Sequence, residues 1–248
     1  MGDKSHLRKL RWANSHIDKA EALIAAWRGD GYRIFQQPDN YWNLLVVAEM
    51  LKPLPDDLPL VVGDALHCLR DSLDHILFAL SQKGGRMVTP KDEESPQFPI
   101  YDRAVDIQAD TGIRFLNWHM SAEVCELAPD PARQPLNQHP LWLLNKVNNR
   151  EKHREVALNP NAMAQHSLGI ANAQIENMRM FGNQHLQLGA GPVPLLAFRG
   201  RNLQAQITQT VNVVFEGVEV ADREVSSTLR WFHDHIRDVV FQRLEPFL

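Results

Sequence analysis

Long runs of helical spacing alternate along this chain with shorter strand-like stretches. From residue 5 to 28, Leu10, Ala13, Ile17, Ala20, Ile24 and Trp27 recur at three- or four-residue steps. That interval gathers side chains on one face of an α-helix, and Gly29-Asp30-Gly31 ends the run. Residues 32–37 and 41–50 read as two strands joined by a turn at Pro38-Asp39-Asn40. Pro53, Pro55 and Pro59 mark a link to a second helix. Asp56 or Asp57 is suited to cap it, and Gly84-Gly85 stops it after about residue 83.

A poorly periodic loop follows, holding Pro96-Gln97-Phe98-Pro99-Ile100-Tyr101, with short helical pieces expected at 103–110 and 119–128. Pro140 suits the first turn of a helix through residues 139–154. From 155 to 220 the pattern turns strand-like, with turns at Gly182-Asn183 and Gly189-Ala190-Gly191-Pro192. Leu203, Ala205, Ile207, Val211, Val213 and Phe215 alternate with polar residues, as a half-buried strand does. A last helix over 223–244 sets Val225, Leu229, Phe232, Ile236, Val239 and Val240 on one face. The sum is an α+β protein. A mainly helical unit, 1–154, carries an inserted β-hairpin (32–51), and 155–248 adds antiparallel strands and a C-terminal helix packed onto it as one domain.

The second helix carries an unusual polar row. Leu66, Leu69, Leu73, Ile76, Leu77 and Leu80 share one broad face, while Asp64, His67, Arg70, Asp71, Asp74 and His75 occupy the other, in an arc of roughly 140°. These are residue types that transfer protons, bind anions or hold metals. Arg70 and His75 point about 140° apart on one helix, so they do not meet squarely within a monomer. A second copy crossing the first would bring guanidinium and imidazole into one groove. Without chemistry, Arg70–Asp74 and Asp71–His75 at i,i+4 build a structural polar seam in an interaction or scaffold protein. A third reading is a metal-dependent hydrolase, with the column His67, Asp71, His75 completed by His153, His233 or His235. No His-Glu-x-x-His motif supports it.

The run Leu69-Arg70-Asp71-Ser72-Leu73-Asp74-His75 resembles the signature of the HEPN superfamily, the higher eukaryote and prokaryote nucleotide-binding domains. That signature is an Arg, a polar residue after it, and a His four to six positions beyond the Arg. The resemblance implies a dimeric, metal-independent endoribonuclease in a toxin–antitoxin or phage-defence role. It needs no cofactor or metal, acts on RNA and is held by an antitoxin or regulatory protein. On this likeness Arg70 binds or polarises the scissile phosphate, and His75 is the acid or base on the 2′-hydroxyl or leaving oxygen. Asp71 orients the site, and His67, Asp74, Asn149, Lys152 and His153 are the candidate substrate contacts. Leu77 stands where many members carry an aromatic residue. Gly63-Asp64, His67, Leu69-Arg70, Leu73-Asp74-His75, Leu144-Asn145 and Lys152-His153-Arg154 are together also similar to a recurring bacterial family of unassigned function.

Composition narrows the picture without choosing among these readings. The 248 residues carry a formal charge of −4 and are 44% hydrophobic and 23% charged, which argues against a broadly basic nucleic-acid coat but allows a local basic site. Two cysteines, Cys68 and Cys125, imply a reducing compartment. The N-terminus lacks the apolar core of a signal peptide and no run is long enough to cross a membrane, so a cytoplasmic protein is expected. The glycine-rich stretch Gly189-Ala190-Gly191-Pro192 lacks the Lys-Ser/Thr tail of a phosphate loop, and no Gly-x-Ser-x-Gly elbow occurs.

Overall fold

The computed structural model describes residues 4–84, 96–106, 110, 112–151, 156–162, 167–170, 174–181, 186–187, 191–201, 205–208, 211–217 and 219–248. Helix α1 spans Ser5–Asp30 and α2 spans Asp57–Lys83. The two run antiparallel, with Ser5 beside His75, Lys9 beside Asp71 and His16 beside Asp64. Asp56 sits at the start of α2 but makes no side-chain capping bond, because its own backbone is already helical. Helix α3, Trp118–Leu127, is capped by Asn117, whose side chain accepts the N–H of Met120. Helix α4, Pro140–Glu151, packs on α2, and α5, Val225–His235, packs on α1, α2 and α4.

Helix α5 continues through a π-helical turn, Ile236–Phe241, into Gln242–Leu244. The wider turn shifts the apolar face by one residue. Val240 is therefore buried, and Val239, expected on the same face, is exposed.

Strands β1 (Tyr32–Asp39) and β2 (Asn43–Met50) form the expected hairpin. Its turn lies two residues later than the pattern suggests, because Asp39 Oδ1 accepts the N–H groups of Tyr41 and Trp42. The strands that follow are β3 (Leu158–Ala162), β4 (Ser167–Ile170), β5 (Gln174–Met180), β6 (Leu186–Gln187), β7 (Val193–Arg201), β8 (Ala205–Thr208) and β9 (Val211–Phe215). The hairpin 32–51 is joined to the later strands in one antiparallel sheet of order β1-β2-β7-β5, beside two smaller sheets, β6-β3-β9 and β4-β8. The single strand expected over 203–215 is two strands in different sheets. Residues 103–106, expected to open a short helix, form loop.

One hydrophobic cluster unites these parts. Ile17 and Ile24 of α1, Leu66, Leu69 and Leu73 of α2, and Leu141 and Leu144 of α4 meet Leu229 and Phe232 of α5. Val46, Leu196 and Phe198, which lie across from one another on one face of the large sheet, join the same cluster. The architecture is α+β. Among the described residues, no helix is long and apolar enough to cross a membrane.

Candidate functional site: the polar row of helix α2

Apolar residues on three sides draw Arg70 inward. Leu66, Leu69 and Leu73 are fully buried, and the helical path between them carries Arg70 to 9% exposure in the contact among α2, α4 and the segment 96–101. A charge at that depth requires partners, and it has them on every side of the fork. Nε donates to Asn145 Oδ1 of α4 at 3.3 Å, and Nη2 donates to the carbonyl of Phe98 at 3.1 Å. Nη1 pairs with Asp74 Oδ1, one helical turn along.

Asp74 Oδ1 also accepts the Phe98 N–H at 2.8 Å. The two side chains thus hold both polar groups of one peptide residue whose ring lies in the core. Burial pushes the Asp74 carboxyl above its ordinary value, against the opposing pull of Arg70 and the Phe98 N–H. The loop is tied a second time further on, where Asp102 accepts from Trp142 Nε1 at 2.7 Å and Lys146 Nζ at 3.1 Å. Between these ties, burial and a hydrogen bond to Asp110 push the Tyr101 hydroxyl up to about 12.

His75 leaves α2 in another direction. Its Nδ1 lies 2.9 Å from Ser5 Oγ at the start of α1, and the side chain is half-buried. Asp71 turns to α1 as well: it accepts from Lys9 Nζ at 2.7 Å and lies 3.5 Å from His67 Nε2. The expected Asp71–His75 pair is therefore replaced, and the expected Arg70–Asp74 pair is present. The Asp71 carboxylate raises Lys9 above its usual range. The side chains of Asp64, 65% exposed, and His67, 52% exposed, are the members of the row most open to solvent.

Within one chain, then, Arg70 and Asp74 face α4 and the 96–101 segment, whereas His67, Asp71 and His75 face α1. Asn149 is exposed at the end of α4, and Lys152 and His153 lie outside the described residues. Of the other asparagines of α4, Asn145 meets Arg70, and Asn148 is wholly buried with neither amide atom hydrogen-bonded among the described residues. The first carbonyl Arg70 meets belongs to Phe98, a partner no spacing rule could supply, since it is backbone from a loop 28 residues away.

The metal reading gains no geometric support. Among the described residues, no three His, Cys, Asp or Glu side chains gather in a way that would hold an ion. His75 is turned to Ser5, away from the His67–Asp71 pair. His233 is buried next to Asp234, and its neighbour His235 faces His139 with ring centroids 5.9 Å apart. Arg230, on the same helix, reaches Glu21 Oε1 at 2.9 Å and Asn14 Oδ1 at 2.7 Å on α1.

His139, before the fourth helix, is a second buried titratable group that no motif in the sequence signals. It precedes Pro140, and its Nδ1 accepts the N–H of Leu141 at 3.2 Å, so it closes the N-terminus of α4. Burial, with His235 adding to it, pushes its imidazole down to about 4. Concave surface lies at the N-terminal end of α2, lined by Leu54, Pro55, Asp56, Pro59, Val156 and Glu216. Comparison with protein-family models, with curated proteins and with solved structures finds no match.

Proposed function

We propose that this protein is a non-catalytic binding scaffold and that the polar row of α2 is the seam that fixes its register. One observation carries this reading: the buried guanidinium of Arg70 is directed to Asn145, Asp74 and the Phe98 carbonyl. An arginine held this way locks α2, α4 and the 96–101 segment in one arrangement, and its fork points at protein acceptors rather than at an incoming phosphate. The His75–Ser5 and Asp71–Lys9 bonds do the same for α1.

A second reading is favoured by a separate observation. His75 is half-buried, and with Nδ1 against Ser5 its Nε2 is the ring position left for proton transfer. On the HEPN resemblance this makes the protein a cytoplasmic, homodimeric endoribonuclease with an RNA substrate and an antitoxin or regulatory partner. Arg70 would then need to leave its internal partners for the scissile phosphate.

The test is incubation of the full chain with RNA in EDTA, alongside Arg70→Ala and His75→Ala, each also followed by denaturant unfolding. The scaffold reading expects no cleavage and a marked stability loss for Arg70→Ala. Cleavage that leaves 2′,3′-cyclic phosphate ends, and that His75→Ala abolishes without unfolding, would establish the nuclease instead.

A further inference from the structure

The outer face of the large sheet carries a pattern that the helices do not explain. Residues paired across an antiparallel ladder share a face. Arg33 pairs with Glu49, Phe35 with Val47, Leu45 with Ala197, and Ala197 with Arg179. This is the face opposite Val46, Leu196 and Phe198, which join the helical core. Val47 and Ala197 form its closed floor, at 1% and 0% exposure.

Three arginines on or beside this floor each lie over an aromatic ring. Arg33 is 4.8 Å from the Phe35 centroid, Arg179 is 5.0 Å from Phe181, and Arg199 is 4.6 Å from Tyr41. All three arginines are exposed. Arg201, two residues after Arg199 on the same strand and also exposed, adds a fourth charge to that side. The acidic residues on the face are Glu49, which accepts from Arg33 at 2.7 Å, and Asp39, which accepts from the Tyr41 and Trp42 N–H groups. Glu176 lies at the bulge of the edge strand β5. In a chain of formal charge −4, this is a local excess of positive charge.

We infer that this sheet face binds single-stranded nucleic acid, with bases stacked on the arginine–ring pairs at Phe35, Tyr41 and Phe181 and phosphates held by Arg179, Arg199 and Arg201. The chemistry selects this occupant. A guanidinium over a ring has a second face to offer a base, and the N–H groups it does not spend within the protein are donors for phosphate. A shallow sheet with aromatic residues and flanking arginines takes up splayed bases without needing a groove. An acidic peptide would use the charge but leave the stacked rings without a role. The inference goes beyond the scaffold reading by naming what is held, and it does not depend on α2.

The experiment measures fluorescence anisotropy of labelled oligouridylate and its deoxy counterpart with the full-length protein over a range of salt. Arg179→Glu and Arg199→Glu, both at exposed positions, are expected to weaken binding by about tenfold or more. Removing either charge as Arg→Ala should lower the salt slope by about one. Phe181→Leu keeps an apolar side chain but no stacking surface, and should weaken binding while the salt slope stays put. Arg237→Glu, an equal charge change on α5's continuation, should bind as the parent does. Binding of either oligonucleotide with this pattern supports the inference. Undetectable binding at low salt, identical affinity across all variants, or tighter binding of a polyglutamate peptide would overturn it. Arg70→Ala and His75→Ala report on the α2 seam separately, since a folded variant of either should bind like the parent.

Discussion

Arg70 Nε lies 3.3 Å from Asn145 Oδ1, bridging α2 to α4 in the middle of the helical core. Each side chain alone would be a polar group in an apolar contact; together, with Asp74 and the Phe98 carbonyl completing the fork, they specify one relative position of two helices. A hydrophobic seam would tolerate sliding, whereas directional bonds of this kind do not.

Removing that fork should be costly. Arg70→Ala takes the donor from Asn145 and the Phe98 carbonyl and the counter-charge from Asp74, and stability is expected to fall by about 3 kcal/mol. Arg70→Lys keeps the charge but cannot reach three acceptors in a plane, and should recover only part of the loss. Urea unfolding midpoints check both. An Arg70→Lys protein as stable as the parent would mean that charge alone, and not the fork, is what the site uses.

His139 makes stability depend on mildly acid pH. Its folded value of about 4 lies below the ordinary 6.5, so the unfolded chain binds the extra proton first. The stability tied to the neutral imidazole is complete above about pH 6.5 and is lost as pH falls toward 4, by about 3 kcal/mol in all. His139→Asn keeps an acceptor at the start of α4 and removes the titration. Unfolding free energies across that window should fall less steeply for the variant than for the parent.

Asn148 is predicted to be a stability reserve. Its amide is fully buried and neither polar atom is hydrogen-bonded among the described residues, so Asn148→Leu, similar in shape, should raise stability by about 1 kcal/mol. A thermal midpoint below the parent's would count against this view and point to a partner for the amide.

Two glycines of α2 and its C-terminal cap should respond in opposite ways to alanine. At Gly63 a Cβ would come within 2.8 Å of Glu151 Oε1, the movable end of a long side chain, so the gain in helix propensity prevails and Gly63→Ala should be neutral or slightly stabilising, by up to about 1 kcal/mol. At Gly84 a Cβ would meet the Phe115 carbonyl at 2.2 Å. Backbone cannot swing aside, so Gly84→Ala should destabilise by about 1–3 kcal/mol. Paired unfolding curves of the two variants test the contrast.

The sequence by itself determined the long helices. Leu10 to Trp27 and Leu66 to Leu80 repeat at helical intervals, and local periodicity needs no knowledge of neighbours. It also set Asp74 within reach of Arg70, because four residues along a helix is a fixed distance. Where a local rule met a competing local feature it slipped: Asp39 moved the hairpin turn, and the π-helical turn took Val239 off the buried face while Val240 stayed on it.

Only the tertiary structure decided where each polar side chain went. Asp71 had His75 within reach on its own helix, yet Lys9 from α1 supplies a full charge at 2.7 Å. Arg70 found a backbone carbonyl in a loop, and Phe35 and Phe181, far apart in the chain, came to one sheet face because β2 and β7 pair between β1 and β5. Periodicity records which face of an element is buried. Which partner covers that face depends on how the elements are laid against one another, and that information is carried by no single stretch of residues.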